Sequence, residues 1–282
     1  LFMDKAKMSR EEKLALDLRA LYRRYGYQFY KAADFEPYDL YRENKNFLPD
    51  HSVLTFSDRE GRLMALKPDV TISVAKDVKE DETSRKLFYS EHVFRRRPGE
   101  SQFFEIKQMG LEYIGASGGY AEAEVLSLAC QSLDAIGPEY FLGISHMGYI
   151  AALMEELPLT EPQRESLISA IRRNSAVDIA LATAPANLSV KARRALAALA
   201  DLPADYQQAL AKLGETCLSR QMRQALDELD TALAALAIWG LSDRVRLELS
   251  LLNDLEYYNG IVFQGYLRGL PRAVLSGGRY DN

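Results

Sequence analysis

An abrupt change in residue pattern, followed by its reversal, constrains what this chain can fold into. From about Gly148 to Leu241 the sequence is rich in alanine and leucine at helical spacing, with almost no strand pattern. The segments on either side contain short β-rich runs bounded by turn residues. We therefore expect a mixed α/β body, residues 1–147 and 242–282, interrupted by a helical insertion at residues 148–241.

The body predicts an α+β fold in which an antiparallel sheet is flanked by helices. The predicted helices cover residues 11–25, 71–78 and 121–137, and the predicted strands cover residues 27–32, 52–58, 62–67, 85–97 and 102–115. Pro98 and Gly99 separate the two longest strands and predict a hairpin. The last stretch is a strand that ends at a Gly-Gly turn, so we expect further sequence after Asn282.

Composition excludes several classes of protein. Hydrophobic residues make up 48% and charged residues 27%, which is typical of a globular chain and not of a disordered one. The apolar run at residues 232–241 is about half of the ~20 residues needed to cross a bilayer. Two cysteines, Cys130 and Cys217, cannot form a zinc site alone. We expect a cytoplasmic protein without a membrane span, metal or cofactor, and the net charge of −5 argues against extensive nucleic-acid contact.

Polar residues on the predicted hairpin are the first candidates for a site. Gln108, Gly110 and Glu112 are spaced by two, so their side chains share one face of the strand. That face is either solvated or the floor of a polar pocket, where glycine permits close ligand approach. The arginine run at 95–97 is either a solvated turn or an anion clamp. We interpret the three scattered histidines as structural; they are His51, His92 and His146.

Taken in order, four motifs resemble the catalytic core of histidyl-tRNA synthetase, a class II aminoacyl-tRNA synthetase, and of its relatives. The matching segments are Pro68-Asp69-Val70-Thr71, Phe94-Arg95 with Gln108-x-Gly110-x-Glu112 (the motif 2 hairpin), Leu255 to Tyr258 (L-D-Y-Y) and Gly277 to Asp281 (G-G-R-Y-D). The resemblance spans about residues 8–282 and implies a class II synthetase-like sheet with a helical insertion.

Three departures from the synthetase pattern argue against an active enzyme. The arginine that precedes L-D-Y-Y and contacts the reacting groups in the synthetases is replaced by Asn253, which carries no charge. Loss of such a donor typically costs about 100–1000-fold in rate. Arg97 stands at an acidic motif 2 position, and Phe104 replaces the second motif 2 arginine.

A chain that keeps the pocket and lacks the arginine resembles the regulatory subunit of ATP phosphoribosyltransferase, a paralogue of the synthetase. This resemblance implies a non-catalytic subunit that activates a short-form catalytic subunit and confers feedback inhibition by histidine in the first step of histidine biosynthesis. It implies a homodimer within a hetero-oligomer and no tRNA binding; the aromatic-rich residues 27–47 are a candidate interface or pack onto the N-terminal helix. The alternatives are a divergent or truncated histidyl-tRNA synthetase and a bare interaction module.

The resemblance also implies which residues bind L-histidine. They are Asp69, Thr71, Arg95, Gln108, Glu112, Tyr257 and Tyr258. Asp69, Thr71 and Gln108 would accept hydrogen bonds from the α-ammonium. Glu112 and Tyr258 would bracket the imidazole, and Arg95 would face the carboxylate. Whether feedback histidine binds in this pocket or at the seam with the catalytic subunit stays open.

Overall fold

The computed structural model of the chain describes residues 8–44, 53–77, 84–96, 100, 102–115, 118–252 and 258–281. The chain divides into two compact units, Leu1–Ser117 and Gly118–Asn282. The first contains α1 (Arg10–Arg24), β1 (Gln28–Phe29), β2 (Phe35–Pro37), α2 (Tyr38–Glu43), β3 (Thr55–Ser57), β4 (Leu63–Leu66), α3 (Thr71–Asp77), β5 (Arg85–Arg96) and β6 (Phe103–Ile114). The second contains α4 (Gly119–Ile136), β7 (Tyr140–His146), α5 (Met147–Glu156), α6 (Glu161–Arg172), α7 (Ala176–Thr183), α8 (Val190–Leu199), α9 (Tyr206–Glu215), α10 (Arg220–Ile238), β8 (Val245–Leu247), β9 (Ile261–Leu267) and β10 (Leu275–Gly278).

Local sequence explains how α1 begins and ends. The Ser9 hydroxyl accepts from the Glu12 backbone N–H, and the Glu12 carboxylate accepts from the Ser9 N–H at 2.8 Å, which completes a capping box. Leu18 and Leu21 lie on the buried face of this helix. Gly26 follows at φ 84°, a left-handed conformation that glycine adopts without strain. The helix predicted over residues 11–25 is therefore confirmed.

The first unit contains two small sheets. In one, β5 lies between β1 and β6; it pairs parallel with β1 and antiparallel with β6. In the other, β4 pairs antiparallel with β2 and with β3. The hairpin predicted for the two longest strands is confirmed by the antiparallel pairing of β5 and β6. The strand predicted over residues 27–32 is shorter, because after Phe29 only the Tyr30 N–H bonds to Phe88 O before the chain turns toward β2.

The second unit combines a four-stranded sheet with helices. Its strand order is β10-β9-β7-β8, with only the β7–β8 pair parallel. All residues between His146 and Val245 are described, and they form α5 to α10 and one 3₁₀ turn without any strand. Leu142 of β7 and Leu233 of α10 belong to one hydrophobic core.

The observed architecture is the predicted α+β fold of mainly antiparallel sheets flanked by helices. The division into residues 1–147 with 242–282 and an insertion at residues 148–241 stays a prediction. Across the described ranges, none of the helices combines the length and hydropathy needed to cross a bilayer.

A buried ion cluster holds the segment before α3 against the hairpin. Lys67 is fully buried, and its Nζ donates to Glu91 Oε2 at 2.7 Å and to Asp34 Oδ1 at 3.0 Å. Lys31 Nζ also donates to Glu91 Oε2 at 2.7 Å. The Glu91 side chain is only 1% exposed. If one partner of such a pair is removed, the other keeps a buried charge without a partner, which costs free energy. The pair therefore holds residue 67 in place against β5.

We expect Lys67→Met to lower the free energy of unfolding by about 3 kcal/mol, because Glu91 would keep its buried charge without its buried partner. Urea unfolding followed by circular dichroism measures the change. The matched control is Lys107→Met, whose exposed pair with Glu11 should contribute less than about 1 kcal/mol. Equal losses in the two variants would contradict the role given to Lys67.

Candidate functional site

The site is built on the segment that joins β4 to α3. The Lys67 carbonyl accepts from the Phe94 N–H at 3.0 Å, which fastens the segment to β5. Two residues later, the Asp69 carboxylate accepts from the Thr71 N–H at 2.7 Å. This local bond is an Asx turn, and it starts α3 at Thr71. The bond uses Oδ1 and leaves Oδ2 of Asp69 for another partner.

Arg95 of β5 joins three separate parts of the first unit. Its Nη2 donates to Asp69 Oδ2 at 2.6 Å and to Gln108 Oε1 at 2.9 Å, and its Nε donates to the Pro68 carbonyl. The side chains of Arg95 and Asp69 are 30% and 16% exposed, so the ion pair is partly shielded from water. Within the anion clamp suggested by the arginine run, the guanidinium thus already holds a carboxylate of the chain itself.

The polar residues of β6, Gln108 and Glu112, take part in the same hydrogen-bond network as Arg95 and Asp69. Gln108 Nε2 donates to the Tyr89 hydroxyl at 3.2 Å, and the Thr71 hydroxyl donates to Glu112 Oε1 at 2.7 Å. The structure therefore brings together five of the residues predicted from the sequence, in one continuous set of hydrogen bonds. These residues are Asp69, Thr71, Arg95, Gln108 and Glu112.

The sequence did not point to Tyr89, which fills the space at Gly110. The two residues are cross-strand partners, and a Cβ on Gly110 would lie 2.4 Å from the Tyr89 hydroxyl oxygen. Gly110 therefore makes room for this ring, and the interpretation that it leaves space for a ligand is wrong. Burial, with the nearby carboxylates of Glu112 and Asp69, raises the pKa of Tyr89 well above its usual value, so the hydroxyl keeps its proton. The signal that could have found it is the register, because an aromatic residue often covers a glycine on the facing strand.

Tyr258 belongs to the second unit. Its ring lies against Gly278, where a Cβ would be 2.6 Å from Cδ1, so this glycine of the G-G-R-Y-D element makes room for it. Tyr258 also lines a cavity of about 340 Å³ with Met147, Gly148 and other residues of this unit. Its predicted role beside the imidazole stays a prediction. Tyr257, Asn253 and Arg97 lie outside the described residues, as does His51.

Two of the three histidines and the arginine of the G-G-R-Y-D element lie within the described residues. His146 is buried, and its Nε2 lies 3.2 Å from Glu228 Oε2; burial lowers the pKa of the imidazole. His92 is exposed. Arg279 binds Glu122 at 2.9 Å and Glu228 at 3.3 Å. In the part of the chain that the structure describes, no group of histidine, cysteine and acidic residues has the arrangement of a metal site.

The hairpin network has the chemistry to recognise a small zwitterion. Asp69, Gln108 and Glu112 present carboxylate and amide oxygens that accept hydrogen bonds from an ammonium or a ring N–H. Arg95 presents a planar guanidinium suited to a carboxylate. Phe104, at the position of the second motif 2 arginine, stands directly opposite Arg95 in the register and adds no charge.

Comparison with known proteins gives the family. The family model described as histidyl-tRNA synthetase matches residues 2–282. The chain is 34% identical to an ATP phosphoribosyltransferase regulatory subunit of Symbiobacterium thermophilum, over 80% of this chain and 58% of that protein. It is 32% identical to the regulatory subunit of Moorella thermoacetica, over 92% of this chain and 68% of that protein. The chain thus spans 58% to 68% of the length of these two relatives.

Solved structures agree with this result. A protein of Bacillus halodurans, described as an ATP phosphoribosyltransferase regulatory subunit/histidyl-tRNA synthetase, superposes with a TM-score of 0.85 at 25% identity, over 100% of this chain and 76% of that one. A chain of the Thermotoga maritima ATP phosphoribosyltransferase complex (HisG:HisZ) shares the fold, with a TM-score of 0.74 at 19% identity over 96% of this chain and 92% of that one. The class II synthetase-like architecture expected from the motifs is therefore confirmed. The chain belongs to the histidyl-tRNA synthetase family and, within it, to the ATP phosphoribosyltransferase regulatory subunits.

Proposed function

We propose that this chain is a non-catalytic regulatory subunit of ATP phosphoribosyltransferase, in the first step of histidine biosynthesis. It activates a short-form catalytic subunit and confers feedback inhibition by L-histidine. The names of its relatives and the HisG:HisZ composition of the Thermotoga maritima complex support a catalytic partner. The proposal includes a hetero-oligomer, a cytoplasmic location and no tRNA.

One observation supports this proposal most strongly. The site has residues that can bind an amino acid, but it lacks the positive charge at position 253 that the synthetases use to activate one. Asp69, Arg95 and Gln108 form a connected donor and acceptor set on the hairpin. Position 253, where the synthetases carry an arginine beside the reacting groups, is asparagine. Recognition of histidine needs these donors and acceptors. Stabilisation of the charge that develops on an acyl phosphate needs the arginine that is missing at position 253.

Within this proposal each group has a distinct task. Asp69 and Gln108 receive the α-ammonium, and Arg95 receives the α-carboxylate. Glu112, which the Thr71 hydroxyl orients, accepts from one imidazole nitrogen. The roles of Tyr258 and Tyr257 stay predictions from the sequence resemblance. Histidine then inhibits by linkage: if it binds better to the inhibited arrangement of the complex, it shifts the population toward that arrangement.

We expect the chain to stimulate a short-form ATP phosphoribosyltransferase and, alone, to form no histidyl-adenylate. Two assays check this: the phosphoribosyl transfer rate with and without the chain, and histidine-dependent exchange of pyrophosphate into ATP. A functional histidyl-tRNA synthetase is the positive control for exchange.

Pyrophosphate exchange above background, without stimulation of phosphoribosyl transfer, would favour the alternative, a divergent histidyl-tRNA synthetase. Neither activity, together with no histidine binding, would favour a bare interaction module. Asn253→Arg should not restore full exchange, because Arg97 and Phe104 also depart from the synthetase pattern.

We expect Glu112→Gln to weaken L-histidine binding by about ten-fold or more, because a hydrogen bond to a charged group contributes roughly 1.5–3 kcal/mol. Isothermal titration calorimetry measures the affinity. The matched control is Glu105→Gln on the same strand, since the Glu105 side chain is 61% exposed and lies outside the network. Unchanged histidine affinity and inhibition in the Glu112→Gln complex would move the feedback site to the seam between the subunits.

We further propose that two copies of the chain associate through the sheet formed by β2, β4 and β3. Phe35 and Phe56 are 53% and 39% exposed, and their rings meet edge to face at 5.6 Å on one side of this sheet. Exposed aromatic residues of this kind are enriched at the cores of interfaces. Tyr41, from the same aromatic-rich segment, is fully buried instead, so the segment serves both packing and surface.

Phe35→Asp should therefore shift the chain from dimer to monomer at micromolar concentration, because it places a charge in an apolar contact. Sedimentation equilibrium gives the mass. The matched control is Leu63→Asp, because Leu63 is 48% exposed but lies on the opposite side of the sheet; this variant should leave the dimer intact. A monomeric wild-type chain would rule out this interface.

A further inference from the structure

In this structure the site's own arginine holds the acceptors that the proposed ligand needs. Arg95 Nη2 lies 2.6 Å from Asp69 Oδ2 and 2.9 Å from Gln108 Oε1. Under the proposed function, these two oxygens receive the ammonium of histidine, while the same guanidinium receives its carboxylate. The ammonium of the ligand therefore competes with the Arg95 guanidinium for these two oxygens.

We propose that Arg95 is a specificity-determining residue that admits a zwitterion and rejects an amine or an acid. The proposal rests on histidine binding at this site, and it adds an exchange: the ammonium replaces the guanidinium on Asp69, while the carboxylate takes up the displaced guanidinium. Asp69 and Arg95 then each keep a partner of opposite charge. An amine alone leaves Arg95 without its carboxylate, and an acid alone leaves Asp69 without its cation.

Burial gives this exchange its selectivity. The Asp69 and Arg95 side chains are 16% and 30% exposed, so neither charge is fully hydrated once it loses its partner. The geometry also makes the exchange local. One nitrogen, Nη2, makes both contacts, whereas Nε is bound to the Pro68 carbonyl. Because one nitrogen makes both contacts, a movement of the guanidinium that frees Asp69 also frees Gln108.

The test on the wild-type chain is a cycle of four ligands that share the imidazole ring. L-histidine carries both charged groups, histamine lacks the carboxylate, imidazole propionate lacks the ammonium, and 4-ethylimidazole lacks both. We expect histamine and imidazole propionate to bind nearly as weakly as 4-ethylimidazole. L-histidine should bind at least about ten-fold more tightly than the product of the two separate gains predicts, since each group alone breaks an ion pair.

The test on variants removes the internal competitor. Arg95→Met should strengthen histamine binding by about ten-fold or more, because Asp69 would then offer a free anionic acceptor, and the coupling between the two charged groups should vanish. Arg96→Met is the matched control: Arg96 is the next residue of β5, its guanidinium lies over Phe103, and it should leave both quantities unchanged.

The outcomes separate this inference from the proposed function. If L-histidine binds and the two gains simply multiply in the wild-type chain, the exchange is wrong while histidine binding stands. If L-histidine does not bind at all, the proposed function and the exchange built on it both fail. The wild-type ligand cycle decides these cases even if Arg95→Met does not fold.

Discussion

The register of the β5–β6 hairpin is the constraint on which the site depends. It pairs Tyr89 with Gly110 and Glu91 with Gln108, so these four residues face one side of the hairpin. The segment at residues 67–71 bonds to that same side through Lys67 and Asp69. A slip of one residue would turn every polar group to the opposite face and separate the network.

Two ion pairs hold the segment at residues 67–71, and they differ in how deeply they are buried. The deeper pair suits a structural role and the shallower one suits ligand binding. Lys67 and Glu91 are 0% and 1% exposed, so their pair is costly to disturb and acts as a fixed point. Arg95 and Asp69 are nearer to water, so their pair can be exchanged for contacts with a ligand at lower cost. The Lys67–Glu91 pair thus fixes the segment, while the neighbouring Arg95–Asp69 pair can be replaced by contacts with a ligand, which suits a binding site. Phe104, at the position of the second motif 2 arginine, stands opposite Arg95 and adds no charge that could stabilise acyl transfer.

The fold was largely predictable because its strongest signals are local. Periodicity located α1 and α3 to within one residue at each end, and Pro98 with Gly99 located the hairpin. The spacing of Gln108 and Glu112 gave their common face. Partner choice across the chain was not predictable, because it depends on three-dimensional packing. The contact of Tyr89 with Gly110, the pair of buried Lys67 with Glu91 and the pair of Arg95 with Asp69 each join residues 21 to 26 positions apart.

A crystal structure of the chain grown with L-histidine would show directly whether the ligand exchanges with the Arg95–Asp69 pair. We expect histidine on the hairpin, with its ammonium on Asp69 and Gln108, its carboxylate on a displaced Arg95, and its ring beside Glu112. An intact Arg95–Asp69 pair with histidine bound elsewhere on the chain would contradict this expectation.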